Sequence, residues 1–417
     1  MNIPLSLRYS SDEPHKTETM NRTIILKGAI AAILIMGLTA ENIHAIPAFA
    51  RKYQISCQVC HSPVMPRLKA FGDDFAGDGF RMTEYEAPRY FIETGDERLS
   101  LFRELPLAFR FDGYVTANFN NEGSVDFAAP FVLKILSGGE LSPRLSYYMY
   151  FLLSEYGEIA GLEDAFLFYR DLLGSEINVT LGQFAVSDPL FKGELRYTIE
   201  NYRIYAVAPG ESSINLKYDR GLILDRSFST GTSLVLQVVS GNGIGESGEG
   251  YIFDKDKYKN FMARIAQDVG GIASIGFFGY TGKELLNDDM GTFTSSVKMF
   301  GPDLVIDFNE RLSIGLQYLW RTDSEVWINA EEPMLEDVKT QGGFAEIVYS
   351  PKGDMSKWYL TGLVNYVDSD LEDLDYTSAT LHAGYLLRRN VRLVTEYTYL
   401  FTGSKYGKLS AGFSSAF

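Results

Sequence analysis

Cys57, Cys60 and His61 stand in the run Cys57-Gln58-Val59-Cys60-His61, and they are the residues of this 417-residue chain whose types and spacing could do chemistry. Two cysteines three positions apart, followed at once by a histidine, make the CxxCH attachment pattern for c-type haem. The thiols can bond the two vinyl groups of the cofactor, and the imidazole then lies where it can serve as the proximal iron ligand. One covalently attached haem c is the expected cofactor, and electron transfer the implied chemistry. A CxxC pair also occurs in redox dithiols and zinc sites. Structural zinc usually takes four Cys or His ligands, yet Cys57 and Cys60 are the only cysteines, and His15, His44, His61 and His382 the only histidines. A thioredoxin-like dithiol needs a βαβ context, which the neighbouring sequence does not show.

The N-terminus agrees with export. From Met20 the chain carries basic Arg22 and Lys27, then the apolar run Gly28 to Ala40, too short for a membrane-spanning helix. We read residues 1–45 as leader and signal peptide, removed after Ala45, with translation starting at Met1 or Met20. C-type haem is attached outside the cytoplasm, so two independent features point the same way. The leader is charge-balanced, so the mature chain keeps the net charge of -16. That balance argues against a nucleic-acid partner, which needs clustered Lys and Arg.

Residues 100–417 must position the motif. Segments of alternating polarity recur there, beginning with Leu107, Phe109, Phe111, Val115, Ala117 and Phe119 on one face and Arg110, Asp112, Tyr114, Thr116 and Asn118 on the other. This is period two with an apolar outside and a polar inside. The pattern predicts strands over 104–119, 126–137, 142–155, 162–170, 176–184, 213–226, 230–241 and 258–269. It continues with 271–281, 294–308, 311–322, 341–350, 356–367, 376–388, 391–402 and 406–417. If the first strand leaves the periplasm, the connections returning there are short, whereas 185–212, 242–257, 282–293, 323–340 and 368–375 fall on the opposite side. Short periplasmic turns and longer external loops are the signature of an antiparallel outer-membrane β-barrel, here of about sixteen strands. The expected class is therefore an all-β membrane protein of the bacterial outer membrane. The last strand alternates Leu409, Ala411, Phe413 and Phe417, and its terminal aromatic resembles the recognition signal of such barrels.

Residues 46–99 differ. Pro66 to Phe80 carries Leu68, Phe71 and Phe75 at helical spacings, an apolar stripe that suits a flat partner such as haem or the wall of the barrel. About fifty residues make a weak independent domain, so this small α-helical c-type haem segment is expected to lodge in the barrel as a plug.

The run Pro47-Ala48-Phe49-Ala50-Arg51-Lys52-Tyr53, then CQVCH, then Pro66-Arg67-Leu68-Lys69-Ala70-Phe71-Gly72 and Gly79-Phe80 resembles the fused cytochrome-porin family of outer-membrane monohaem cytochromes, which includes iron oxidases. The motif covers residues 47–80; the barrel agrees in pattern and length. The resemblance implies Fe(II) as an extracellular electron donor.

For the sixth iron position, His382 is the only other histidine after the leader, and its strand parity points it into the lumen. Met82 and Met65 are its rivals, Met82 being the better spaced from His61. The loops assigned to the exterior are acidic: Asp288 and Asp289; Asp323, Glu325, Glu331, Glu332, Glu336 and Asp337; and Asp368, Asp370, Glu372, Asp373 and Asp375. They either concentrate cations or form a solvated surface. Two functions follow. One is an outer-membrane cytochrome passing electrons between an extracellular metal ion or other redox partner and a periplasmic c-type cytochrome or other carrier. The alternative is a diffusion porin or solute channel with a structural or regulatory haem.

Overall fold

Strands that alternate in polarity present two faces to two environments, and in the computed structural model sixteen of them close into one barrel. The structure describes residues 48–82, 91–92, 95–96, 101–102, 106–120, 123–254, 256–288, 291–326 and 336–417. The expected leader, with His15 and His44, lies outside the described residues.

β1 (Phe91–Ile92) and β2 (Leu101–Phe102) form a two-residue ladder apart from the barrel. The barrel begins with β3 (Leu107–Asn118), β4 (Ser124–Ser142), β5 (Leu145–Glu155), β6 (Gly161–Tyr169), β7 (Asn178–Ala185) and β8 (Tyr218–Ser227). It goes on through β9 (Thr232–Val239), β10 (Asn260–Val269), β11 (Ala273–Asp288), β12 (Gly291–Phe308) and β13 (Leu312–Val326). It ends with β14 (Glu336–Tyr349), β15 (Trp358–Ser369), β16 (Tyr376–Arg388), β17 (Val391–Leu400) and β18 (Gly407–Ala416).

Each barrel strand pairs antiparallel with its chain neighbours, and β18 returns to β3 with Lys408 opposite Asn118 and Ala416 opposite Arg110. The Phe417 amide donates to the Phe109 carbonyl at 2.9 Å, and the two rings stack with centroids 5.8 Å apart. Phe111 and Phe413 stack across the same seam at 5.7 Å. Closure leaves no unpaired sheet edge, as lipid requires.

β15 shows the two faces plainly. Tyr359, Thr361, Leu363, Asn365 and Val367 are buried toward the lumen, while Trp358, Leu360, Val364 and Tyr366 are exposed outside. On β16 the same parity turns His382 inward and leaves Leu381 71 % exposed. An apolar exterior on a closed barrel is stable against lipid and not against water. The protein is an outer-membrane β-barrel.

Two local expectations are corrected, and one irregularity in the ladder is added. Residues 282–293 were expected as a long loop, but β11 and β12 run on as one hairpin to the pair Asp288–Gly291, because ladder hydrogen bonds form as well above the membrane as within it. Residues 185–212 were expected outside, but 186–217 fold back into the lumen. There Tyr202, Ile204, Tyr205, Ile214 and Leu216 are buried against Phe278, Met299, Phe344 and Leu363 of the wall. The pairing of β3 with β4 shifts register between Asp112 and Tyr114, opposite Pro130, which has no amide to donate.

Candidate functional site

Residues 48–82 occupy one mouth of the barrel, the end carrying the Pro143–Arg144 and Arg389–Asn390 turns, which is the short-turn or periplasmic end of such barrels. Helix α1 (Ala48–Tyr53) leads to a single 3-10 turn, Cys57–Val59, whose amide at Gln58 is capped by the Ser56 hydroxyl at 3.4 Å. Helix α2 (Ala70–Gly77) follows. The expected helix over Pro66–Phe80 is therefore shorter, because residues 61–69 are drawn out into a bridge between His61 and Leu68. The helix axis also turns Phe71 outward, 39 % exposed, while Phe75 is buried.

Aromatic packing and ion pairs hold the segment in place. Phe75 meets Phe49 edge-on at 5.2 Å, and Phe80 stacks on Tyr148 of the wall at 4.6 Å. Arg67 pairs with Glu346 of β14 at 2.9 Å and donates to Ser313 at 2.7 Å. Lys69 pairs with Asp354 at 2.5 Å and Lys52 with Glu140 at 3.2 Å. Gly72 permits the closest approach: a Cβ there would lie 2.3 Å from the Cys60 carbonyl oxygen. Gly79 is left-handed (φ +76), and a Cβ would strike Ser146 and Phe168, so glycine is needed on both counts.

These elements enclose a cavity of about 270 Å³, near the lower end of ordinary small-molecule sites, roughly 300 Å³. Cys57, Cys60 and His61 all line it, with Phe49, Val64, Leu68 and Phe75 among its apolar walls. The His61 Nδ1 lies 3.2 Å from the Pro66 carbonyl oxygen and 3.1 Å from that of Arg67. Carbonyls only accept, so Nδ1 carries the proton and Nε2 keeps its lone pair, the arrangement found for metal-ligating histidines. Burial also pushes the imidazole below its usual pKa, favouring the neutral form.

The two cysteines are not joined to each other. Burial pushes both thiols up from the ordinary cysteine range, the reverse of the lowered pKa of a dithiol redox catalyst. Among the described residues, no cluster of three or more His, Cys, Asp or Glu side chains is placed to hold a metal ion. The donor set thus fits a haem anchored by two thioethers and one imidazole better than it fits a dithiol or a zinc ion.

The three candidates for the sixth iron position separate. Met65 lines the cavity, and Met82 and His382 do not. The Met82 amide lies 3.4 Å from the Tyr53 hydroxyl. His382 is 2 % exposed, with Nδ1 2.9 Å from Glu396 and Nε2 3.3 Å from the Tyr359 hydroxyl. Both of its nitrogens have protein partners.

Of the acidic exterior residues, Asp370 accepts from the Lys339 amide at 2.8 Å, Asp375 from the Ser369 amide at 2.9 Å, and Asp368 from Gln341 at 2.9 Å. These carboxylates shape the loop that carries them. Asp323 is fully buried and pairs with Arg321 at 2.7 Å. Asp289, Glu331 and Glu332 lie outside the described residues.

The functional element that alternation missed is the lumen loop. Tyr202 donates to Glu346 at 3.1 Å, and Arg321 donates to the Val207 carbonyl at 2.6 Å. The signal was the apolar content of 199–216, with Ile199, Tyr202, Ile204, Tyr205, Ile214 and Leu216 in what reads as an external loop.

No known protein-family model matches the sequence, and no curated protein does. Solved structures do match. A loop-deletion form of the outer membrane protein OmpT of Vibrio cholerae superposes with TM-score 0.52 at 10% identity, over 75% of this chain and 99% of that one. The anion-selective porin from Comamonas acidovorans gives 0.52 at 12%, over 75% and 99%. A porin refined at 1.8 Å gives 0.52 at 14%, over 75% and 100%. At these identities the likeness is one of fold, and the fold is that of a sixteen-stranded porin-like barrel.

Proposed function

We propose that this protein is a porin-like outer-membrane c-type cytochrome. Cys57 and Cys60 would carry one haem c and His61 would ligate its iron. Electrons would pass between an extracellular donor or acceptor, Fe(II) among them, and a periplasmic c-type cytochrome or other carrier. The observation that supports the reading is that both thiols and a histidine with a bare Nε2 line one apolar cavity. The haem, when bound, supplies a one-electron iron couple. The chain fixes its position through the two cysteines, orients the imidazole through the carbonyls of Pro66 and Arg67, and excludes water with Phe49, Phe75 and Val64. The resemblance of residues 47–80 to fused cytochrome-porins is the further support, and it is what brings Fe(II) into the reading.

A diffusion porin or solute channel with a structural or regulatory haem is the second reading. The likeness to solved porins backs this one more directly than it backs electron transfer. Against a wide channel stands the filling of the lumen by the segment 48–82 and the loop 186–217. The deciding experiment stains the outer-membrane fraction for covalent haem, titrates the purified protein with Fe(II), and records single-channel conductance. Covalent haem reduced by Fe(II) with little conductance supports the cytochrome. Large conductance with no haem, or with haem that no donor reduces, supports the channel.

A further inference from the structure

The wall that the barrel contributes to the cavity is charged, unlike the N-terminal segment facing it. Arg110, Lys134, Lys192 and Arg392 line it, against one lining carboxylate, Glu194. Three of these cations have acids of their own: Arg110 pairs with Asp112 at 2.7 Å, Lys134 with Glu194, and Lys192 with Asp188 at 2.7 Å. Arg392 is different. It is 4 % exposed, and among the described residues it makes no ion pair. Its Nη1 donates to the Tyr359 hydroxyl at 2.9 Å, and its guanidinium lies over the Tyr197 ring, 5.5 Å from the centroid. Its hydrogen-bond and ring partners are neutral, and the nearby Asp112 carboxylate is already paired with Arg110, so the buried guanidinium keeps donors that an anion would complete.

The cavity therefore has two unlike sides, thiols and imidazole on one and guanidinium on the other. A haem has the same division, since its vinyl groups and its two propionate carboxylates lie at opposite edges of the ring. We propose that Arg392 seats a haem propionate, turning the acid edge of the cofactor toward the barrel wall and the thioether edge toward the CQVCH segment. The inference rests on the reading of the protein as a c-type cytochrome. It assigns to β17 a binding residue that the attachment motif does not reveal. Arginine suits the task because its planar fork matches a carboxylate and keeps its charge when buried.

The test uses the full-length haem-loaded protein. Resonance Raman spectra of the wild type should show the propionate bending band at the frequency of hydrogen-bonded carboxylates. In Arg392→Gln the covalent haem stain should persist, because the thioethers are intact. Its band should move to the frequency of free propionate, and its midpoint potential should fall with loss of a nearby positive charge. Arg392→Lys should hold the potential near that of the wild type, and Tyr359→Phe, which removes the phenol and keeps the charge, should move neither readout. A wild-type band at the free-propionate frequency overturns the assignment even if Arg392→Gln does not fold, as does an Arg392→Gln protein with potential and band unchanged. Absence of covalent haem from the wild type ends the cytochrome reading as well, and the stain distinguishes that outcome.

Discussion

The Tyr197 hydroxyl, on the lumen loop, lies 2.9 Å from the Val64 carbonyl oxygen of the N-terminal segment, and 3.0 Å from that of Ser62. The loop that enters from the long-loop end thus reaches the segment lodged at the other mouth. Glu396 anchors the same loop by accepting from the amides of Ile199 and Glu200 at 2.6 and 2.9 Å. The two inserts fill the barrel jointly, and each is a support for the other.

Tyr197→Phe should loosen the segment without unfolding the barrel. The single phenol proton is shared between two backbone carbonyls, and losing that hydrogen bond costs about 1 kcal/mol. Hydrogen exchange in residues 61–69 should accelerate, while the strands stay protected. Unchanged exchange there would mean that the contact is not what holds the segment.

Replacing Cys57 and Cys60 together by alanine should abolish covalent haem staining in the outer-membrane fraction, and replacing either alone should lower it. Barrel assembly, read as heat-modifiable migration in gel electrophoresis, should continue in all three variants, because no barrel strand contains either residue. Stain persisting in the double variant would contradict the assignment.

Gly72→Ala places a methyl group where only 2.3 Å separates it from the Cys60 carbonyl oxygen. Helix α2 must then move off the motif, at about 1–3 kcal/mol for overpacking of this kind. Haem content per barrel should drop, whereas Gly77→Ala, which meets nothing within 4 Å, should leave it unchanged. Equal haem content in both variants would show that the close approach is not needed.

The Lys69–Asp354 contact should make docking of the segment acid-sensitive. Burial alone would raise the Asp354 carboxyl, but the hydrogen bonds from Lys69 and Ser62, with the Lys69 charge, hold it below the ordinary carboxylate range. A depressed carboxyl contributes stability that is fully present above its unfolded pKa, about 4, and lost as pH falls through the folded value. Limited proteolysis of 48–82 should thus accelerate below roughly pH 4, and Asp354→Asn should flatten that dependence. A profile unchanged by the substitution would sink the idea.

Replacing residues 193–213 of the lumen loop by a short Gly-Ser linker should raise single-channel conductance several-fold. Emptied barrels of this size carry an aqueous channel. No increase would mean that the N-terminal segment alone seals the barrel.

All sixteen barrel strands were legible in the sequence, because lipid and lumen impose opposite polarities on successive residues and strands such as Trp358–Ser369 show that alternation undiluted. The ends were less legible. Leu285 and Thr294 continue a ladder above the membrane, where neither environment marks a face. The lumen loop was misread since an interior segment obeys neither rule, and its apolar residues answer to partners such as Phe344 that only closure brings near. Of the candidate site, Cys57, Cys60 and His61 were legible as a motif, being contiguous. Arg392 was not, because its relation to them exists only across the closed barrel. The helical stripe of Leu68, Phe71 and Phe75 was over-read, since hydrogen bonding of Pro66 and Arg67 to His61 unwinds its first turn.

The β3–β18 seam joins the first and last strands of the barrel, and Arg110 and Arg392 lie on β3 and β17 beside it. Closure across the seam brings Arg110 and Arg392 to the same side of the cavity, and Lys134 of β4 and Lys192 of the lumen loop complete the charged wall. In the closed barrel the Cys57 and Cys60 thiols are half-buried between segment and wall. Neither cysteine takes part in that seam, yet its closure completes the surroundings of both, since Arg110 and Ser414 line the same cavity.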